Sequence, residues 1–373
     1  MSVAKRLIVR IMILLVASVI LLAAFMIPGI GFNRKPSHAL AAGSSPIYSV
    51  SHYVSFGSGN AVNGALSNWA HRDAQVEDPM GDNGSCAPNY YARKVVAVLD
   101  FGQPAPINGS YGIRNWNGVI FTYSQIEGFV ETYASQWYLN AGVCDHLSVA
   151  IGTNNSNECL NPSNATCVYN EGHGLGTAVS DVANWIGQLT KNNPTYNDFA
   201  LQIQVIGADD IENNETAFDT YNQTKNFIQG FSDFNIQNHT GYSLLDYGDA
   251  FPCGAYQPGS ACGNGNTDLW TYGEIYNVAW GLGWDEALPE AYSQYFAQEW
   301  ALVYDNTANG CSDCVKGQGP MQFSGVMTDS GSQNQATVFW NTLGNRGRGL
   351  NTDWDACMPG LGTSQGGGSY PCD

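Results

Sequence analysis

The segment Leu201-Gln-Ile-Gln-Val-Ile-Gly-Ala-Asp-Asp-Ile-Glu212 runs from an alternating β-strand straight into a cluster of carboxylates. Strand side chains alternate with a period of two. Leu201, Ile203 and Val205 therefore fall on one face and Gln202, Gln204, Ile206, Ala208, Asp210 and Glu212 on the other. Asp210 and Glu212 share a face at the strand's end, where one carboxylate keeps its neighbour protonated, and such a pair suits acid/base chemistry on a sugar or similar substrate. An acidic strand-to-loop turn is the plain alternative.

Outward from this segment the chain alternates short apolar strands with amphipathic helices. Residues 95–100 (VVAVLD), 147–152 (LSVAIG), 242–247 (YSLLDY), 274–281 (EIYNVAWG) and 321–326 (MQFSGV) read as strands. Between them, residues 124–140 carry Ile126, Val130, Tyr133 and Trp137 at helical spacing, and 176–190 carry Val179, Val182, Ala183, Ile186 and Leu189. Further helices are predicted over 217–229, over 286–303 with Leu288, Tyr292, Phe296, Trp300 and Val303 as its stripe, and over 333–343. This order predicts an α/β fold with a parallel sheet covered by helices.

A (β/α) TIM-type barrel and an open doubly wound sheet are the two candidate architectures. Polar loops consistently follow the strands, as they do where a barrel's active site lies at the strands' C-terminal face. The first strand leads into Asp100-Phe-Gly-Gln-Pro-Ala-Pro106, which is no Gly-rich phosphate loop. The barrel is therefore expected, irregular or with fewer than eight regular units and with disulfide-stapled loops. It is placed at 95–343, after an irregular extension at 42–94 that holds one strand at 48–54, and before a Gly-rich segment at 344–373.

Residues 1–41 read as a signal peptide: Lys5, Arg6 and Arg10, an apolar run over 11–27, Pro28-Gly29, and a small-x-small Ala39-Leu40-Ala41. Arg34 and Lys35 follow the run, so an uncleaved anchor, the chain's one membrane contact, is the alternative. Five of the 14 Lys and Arg lie in this segment and none of the 32 Asp and Glu, leaving a net charge of about −23 on the remainder. Such a surface repels nucleic acid, whose binding depends on Lys and Arg neutralising phosphates. Ten cysteines behind an export signal argue for disulfides. Cys159 with Cys167, Cys253 with Cys262 and Cys357 with Cys372 bracket loops, leaving Cys86, Cys144 and the Cys311-Ser-Asp-Cys314 pair, read as structural rather than as half a zinc site.

At the strands' C-terminal ends stand Asp100, Asn154, Asn155, Asp209, Asp210, Glu212, Asp246, Tyr247, Trp280 and Ser324. Acids and aromatics dominate, which is what glycoside hydrolysis needs: a protonated carboxyl for the leaving oxygen, a second carboxylate, and flat rings for sugar faces. No cofactor is called for. Gly362-Thr-Ser364-Gln-Gly366 matches an esterase motif without the strand and helix that motif requires. The histidines show no metal spacing.

The Asp210-Ile-Glu212 strand end resembles the Asp-x-Glu strand ends of muramidase-type and, less well, chitinase-type barrel hydrolases. Ala208 and Val205 stand where the chitinase pattern has further Asp residues. The succession VLDFG, VAIGTNN, VIGADDIE, YNVAWG, ALPEAY and AQEW is similar to that of uncharacterised secreted bacterial proteins with glycoside-hydrolase-like barrels. The resemblance implies Glu212 as general acid and Asp210 as its ionised partner or base. Asp100, Asp246, Tyr247, Trp280 and Asn154 are expected to line the substrate site. The substrate expected is an extracellular or cell-wall polysaccharide such as peptidoglycan. The rival expectation is a non-catalytic barrel serving as a surface carbohydrate-binding or structural protein.

Overall fold

The computed structural model describes residues 47–76, 94–156, 158–159, 165–213, 220–250, 270–315, 318–328, 333–343 and 354–357. The strands are β1 (Ile47–Tyr53), β2 (Lys94–Asp100), β3 (Gln103–Ile107), β4 (Ser110–Arg114), β5 (Ile120–Thr122), β6 (His146–Asn154), β7 (Ile203–Asp210), β8 (Leu244–Asp246), β9 (Asp285–Ala287), β10 (Gly325–Thr328) and β11 (Trp354–Cys357). The α-helices are α1 (Gly59–Val76), α2 (Tyr123–Asn140), α3 (Ala165–Asn192), α4 (Phe199–Gln202), α5 (Tyr221–Asn238), α6 (Tyr272–Tyr276), α7 (Gln294–Thr307) and α8 (Gln333–Leu343). Among the described residues, no helix is long and apolar enough to cross a membrane.

Eight strands form one sheet in the order β10-β11-β1-β2-β6-β7-β8-β9, every pair parallel. The terminal members of this order are themselves linked by main-chain bonds: Ser324 N–H to Ala287 O at 2.7 Å, Met327 N–H to Pro289 O at 2.8 Å, and Ala291 N–H to Met327 O at 2.8 Å. Strands β3, β4 and β5 make a separate antiparallel sheet inserted after β2. The prolines at 104 and 106, which block a helix after Asp100, sit in its first strand.

Strand alternation sorts the core into two. Val95, Ala97, Leu99, Val149, Ile151, Ile203 and Val205 face the helices and pack with Ile126, Val179, Val182, Phe231 and Trp300. Val96, Val98, Ala150, Ile206, Ala208, Leu245, Tyr247, Leu288 and Met327 form a smaller cluster on the sheet's other face, with Tyr53 and Tyr292 packed against it. Each Val, Ile or Leu buried there contributes roughly 1.5–3 kcal/mol.

Several boundaries differ from the sequence expectation. Residues 47–76 are no irregular extension: β1 lies between β11 and β2 and is followed by α1. Within the Gly-rich C-terminal segment, β11 is inserted between β10 and β1. Residues 274–281, expected as a strand, belong to α6 and a π-turn over Asn277–Gly281. Thr271 and Glu274 form a reciprocal capping box that starts this helix, and a segment buried on every side carries no periodicity to separate helix from strand. Likewise 285–287 is a strand, and the following helix begins only at Gln294, where the Ser293 hydroxyl accepts the Tyr295 amide. Leu288 therefore belongs to the inner cluster and not to a helix stripe. Leu201 and Gln202 lie in α4, ahead of β7.

Cys159–Cys167 and Cys311–Cys314 are disulfides, Cys144 is disulfide-bonded as well, and no described cysteine is free. The expected Cys253–Cys262 and Cys357–Cys372 bridges involve residues outside the described ones.

Candidate active site

Parallel strands deliver their C-terminal residues to one edge of the sheet, and here that edge is acidic. In register, Tyr53 on β1 pairs Asp100 on β2, Asp100 pairs Gly152 on β6, and Asn154 pairs Asp210 on β7. Parity places Tyr53, Asp100, Asn154, Asp210 and Tyr247 on the face of the small inner cluster. Gly152 is required at its position: a Cβ there would stand 3.0 Å from Asp100 Cα and 3.1 Å from the Tyr247 hydroxyl oxygen. That space lets the Tyr247 ring slide under the acids and donate to Thr153 O at 2.7 Å.

Asp100 is fully buried and accepts the Gly102 amide at 2.7 Å. Burial raises its pKa to about 7, against hydrogen bonds from Gly102, Tyr247 and Trp116 that favour the anion. Asp210 is 5 % exposed, and its Oδ1 meets no hydrogen-bond donor. Burial pushes its pKa well up, and the charges of Glu290, Glu212, Asp100 and Asp249 push in the same direction.

Glu212 lies two residues beyond the strand end and is partly exposed at the mouth. Its main chain is held by Asn155, which accepts the Glu212 amide at 3.0 Å and donates to the Glu212 carbonyl at 2.7 Å. Burial, then the charge of Asp249, raises the Glu212 pKa to about 7.

Glu290 is the residue the sequence reading missed. It follows β9, donates its amide to Gly248 O at 3.0 Å, and is bridged to Met327 across the link between the terminal strands. Its carboxylate accepts the Tyr292 hydroxyl. Burial raises its pKa well above the usual range; the Tyr292 bond opposes this, and Asp249, Glu212 and Asp246 add to it. Pro289-Glu290 directly after the apolar pair Ala287-Leu288 was the available signal, hidden by assigning 286–303 to one helix.

Two expected site residues lie elsewhere. Asp246 sits one position out of phase with Leu245 and Tyr247, paired with Asp209 on the helix-facing side, where its Oδ1 accepts the Gly248 amide at 3.1 Å. Asp209 there accepts the Thr153 hydroxyl at 2.8 Å, and burial raises its pKa to about 7. Trp280 ends no strand; it is a core residue of the π-turn, packed on the helix side. Tyr247 is 1 % exposed and acts as the floor beneath the acids, while Asn154 is buried beside Asp210 with its Oδ1 bonded to the Ser156 amide.

The aromatic side chains beside the acids are instead Tyr53 and Trp116. Trp116 is 49 % exposed and meets the Tyr53 ring edge-on at 5.6 Å. Its loop, between β4 and β5, is tied by side-chain bonds: Asn115 Oδ1 accepts the amides of Asn117 and Val119, Asn115 Nδ2 donates to Phe56 O at 2.7 Å, and Asn117 Nδ2 donates to Ser55 O. A separate cavity of ≈ 460 Å³, lined by His146, Leu201, Gln204 and Tyr242 among others, lies at the opposite, N-terminal ends of β6 and β7 and has no carboxylate in its lining. The cluster Cys159, Cys167 and Glu171 has metal-like spacing, but both sulfurs are tied up in a disulfide.

Among the described residues, neither Asp210 nor Glu212 forms an ion pair with a cationic side chain, in contrast to Asp73 with His52 and Glu158 with Arg114. The chain matches no protein-family model and no curated protein.

Proposed function

We propose that this chain is an exported, glycoside-hydrolase-type protein acting on an extracellular or cell-wall polysaccharide. The observation carrying the proposal is the convergence of Asp210, Glu212 and Glu290, from two separate parts of the sheet, on one rim with no cation among the described residues paired to any of them. On this reading the sheet closes as a (β/α) barrel of TIM type. The bonds between the Ala287–Ala291 segment and β10, and the single inner cluster drawn from β2, β6, β7, β8 and β10, support that closure.

Glu212, held protonated near neutral pH and placed at the mouth, delivers its proton to the glycosidic oxygen. Asp210 and Glu290 act as a pair that carries one proton and one negative charge, because two neighbouring buried carboxylates do not both ionise. That charge faces the oxocarbenium-like centre, and the Tyr292 hydroxyl supports it. Export is supported by the disulfides, which form outside the reducing cytosol.

The test is release of reducing ends from peptidoglycan and a panel of polysaccharides by the purified chain, alongside Asp210→Asn, Glu212→Gln and Glu290→Gln. Activity in the parent that disappears in the variants supports the reading. Activity that survives all three, or no activity on any glycan, removes it.

A further inference from the structure

Deepening the proposed function and resting on it, we infer that the rim selects a sugar unit bearing a free amino group, taken as its ammonium. The charges of Glu290, Glu212, Asp100 and Asp249 all act on the buried Asp210, and those of Asp249 and Glu212 act on the buried Glu290, with Glu212 the partly exposed member of the group. None of the charged groups acting on them, among the described residues, is a lysine, arginine or histidine. Arg114, on the neighbouring β4, is committed to Glu158, which it holds through Nε and through Nη2 at 2.9 Å.

The second observation is independent of charge counting. Asp210 Oδ1 is buried on the inner face with no donor, and an orphaned acceptor in such a place costs about 1–3 kcal/mol until a ligand supplies one. A neutral sugar hydroxyl would satisfy that oxygen and leave the site's charge uncompensated. A uronate would add to the repulsion. An ammonium brings three donors and the missing positive charge together. Tyr53, between the acids and the exposed Trp116, and Trp116 itself offer ring faces that favour a cation and the apolar face of its sugar.

The experiment compares three probes by titration calorimetry and tryptophan fluorescence on the full chain: a glucosamine tetrasaccharide, its N-acetylated counterpart, and a galacturonate tetrasaccharide. The expected result is tighter binding of the amine by at least about tenfold over the acetylated probe, with the galacturonate weakest. Asp210→Asn, nearly isosteric, should abolish most of that preference, and Trp116→Ala should weaken all binding, with Trp116→Phe restoring part of it. Equal or tighter binding of the acetylated probe overturns the amine inference and leaves the hydrolase reading standing. Preferential binding of the amine probe without cleavage of any glycan keeps the inference and removes catalysis. No binding of any probe overturns the amine inference, and the hydrolase reading then stands or falls on the cleavage assay alone.

Discussion

The Asn155 side chain pairs with the main chain of Glu212, accepting its amide at 3.0 Å and donating to its carbonyl at 2.7 Å. The same Nδ2 reaches the Thr224 hydroxyl on α5 at 3.2 Å, so the loop after β7 is tied to both β6 and the helix layer. Glu212 thus owes its place to a residue just beyond the end of another strand. Asn155→Ala should lower kcat about 100-fold with little change in KM, since a small displacement of a reacting group is enough for that loss. Steady-state kinetics with a parallel melting curve check this; a lowered melting temperature with intact kcat would mean that Asn155 only stabilises the loop.

Asp210→Asn and Glu290→Gln should each reduce turnover by about 10²–10⁴-fold, and the double variant by little more than the worse single one, because the two act as one pair. Tyr292→Phe removes the hydrogen bond that opposes the rise in the Glu290 pKa. The acid limb of the pH–rate profile should then move to higher pH. An unmoved limb would disconnect Glu290 from the reaction.

Asp100 and Asp209 are both buried, and burial raises each from 3.8 to about 7. Between about pH 4 and pH 7 the folded chain holds protons that the unfolded chain has released, so stability falls as pH rises through that window and then levels. For Asp100 alone the change is on the order of 4 kcal/mol. Calorimetric melting should give a higher transition temperature at pH 5 than at pH 8, and Asp100→Asn should flatten the difference. A rise in stability from pH 5 to pH 8 would contradict the burial of these acids.

Helices α3 and α5 cross at glycines. A Cβ on Gly172 would lie 1.9 Å from Phe227 O, and one on Gly230 would lie 2.0 Å from Tyr169 O. Both clashes are with backbone, which cannot swing aside as a side chain does. Gly172→Ala should therefore destabilise by about 1–3 kcal/mol or more, in spite of alanine's better helix propensity. Urea unfolding measures this, and a neutral or stabilising outcome would show that the helices do not pack so closely.

Much of the frame was legible. Residues 95–100 and 333–343 read correctly because their patterns are of one kind, β-branched and continuous in the first and helical in the second. The parity of β7, with Asp210 on the same face as Ile206 and Ala208, also followed from the period of two. The α6 and π-turn segment did not, since it is buried along nearly its whole length and only its Thr271–Glu274 capping box marked it as helix. Strand β9 has three residues and β11 four, both too short to show a period.

By itself, then, the sequence determined the α/β class, the parallel sheet, the excess of acid and the face on which Asp210 sits, because each depends on local periodicity or composition. The tertiary structure alone decided which acids meet. Glu290 joins Asp210 through the link between the last strands and β8, Asp246 turns to the helix side by one residue of phase, and Trp116 rather than Trp280 stands beside the acids. Those outcomes rest on strand register and on contacts between segments far apart in the chain, and no local pattern encodes them.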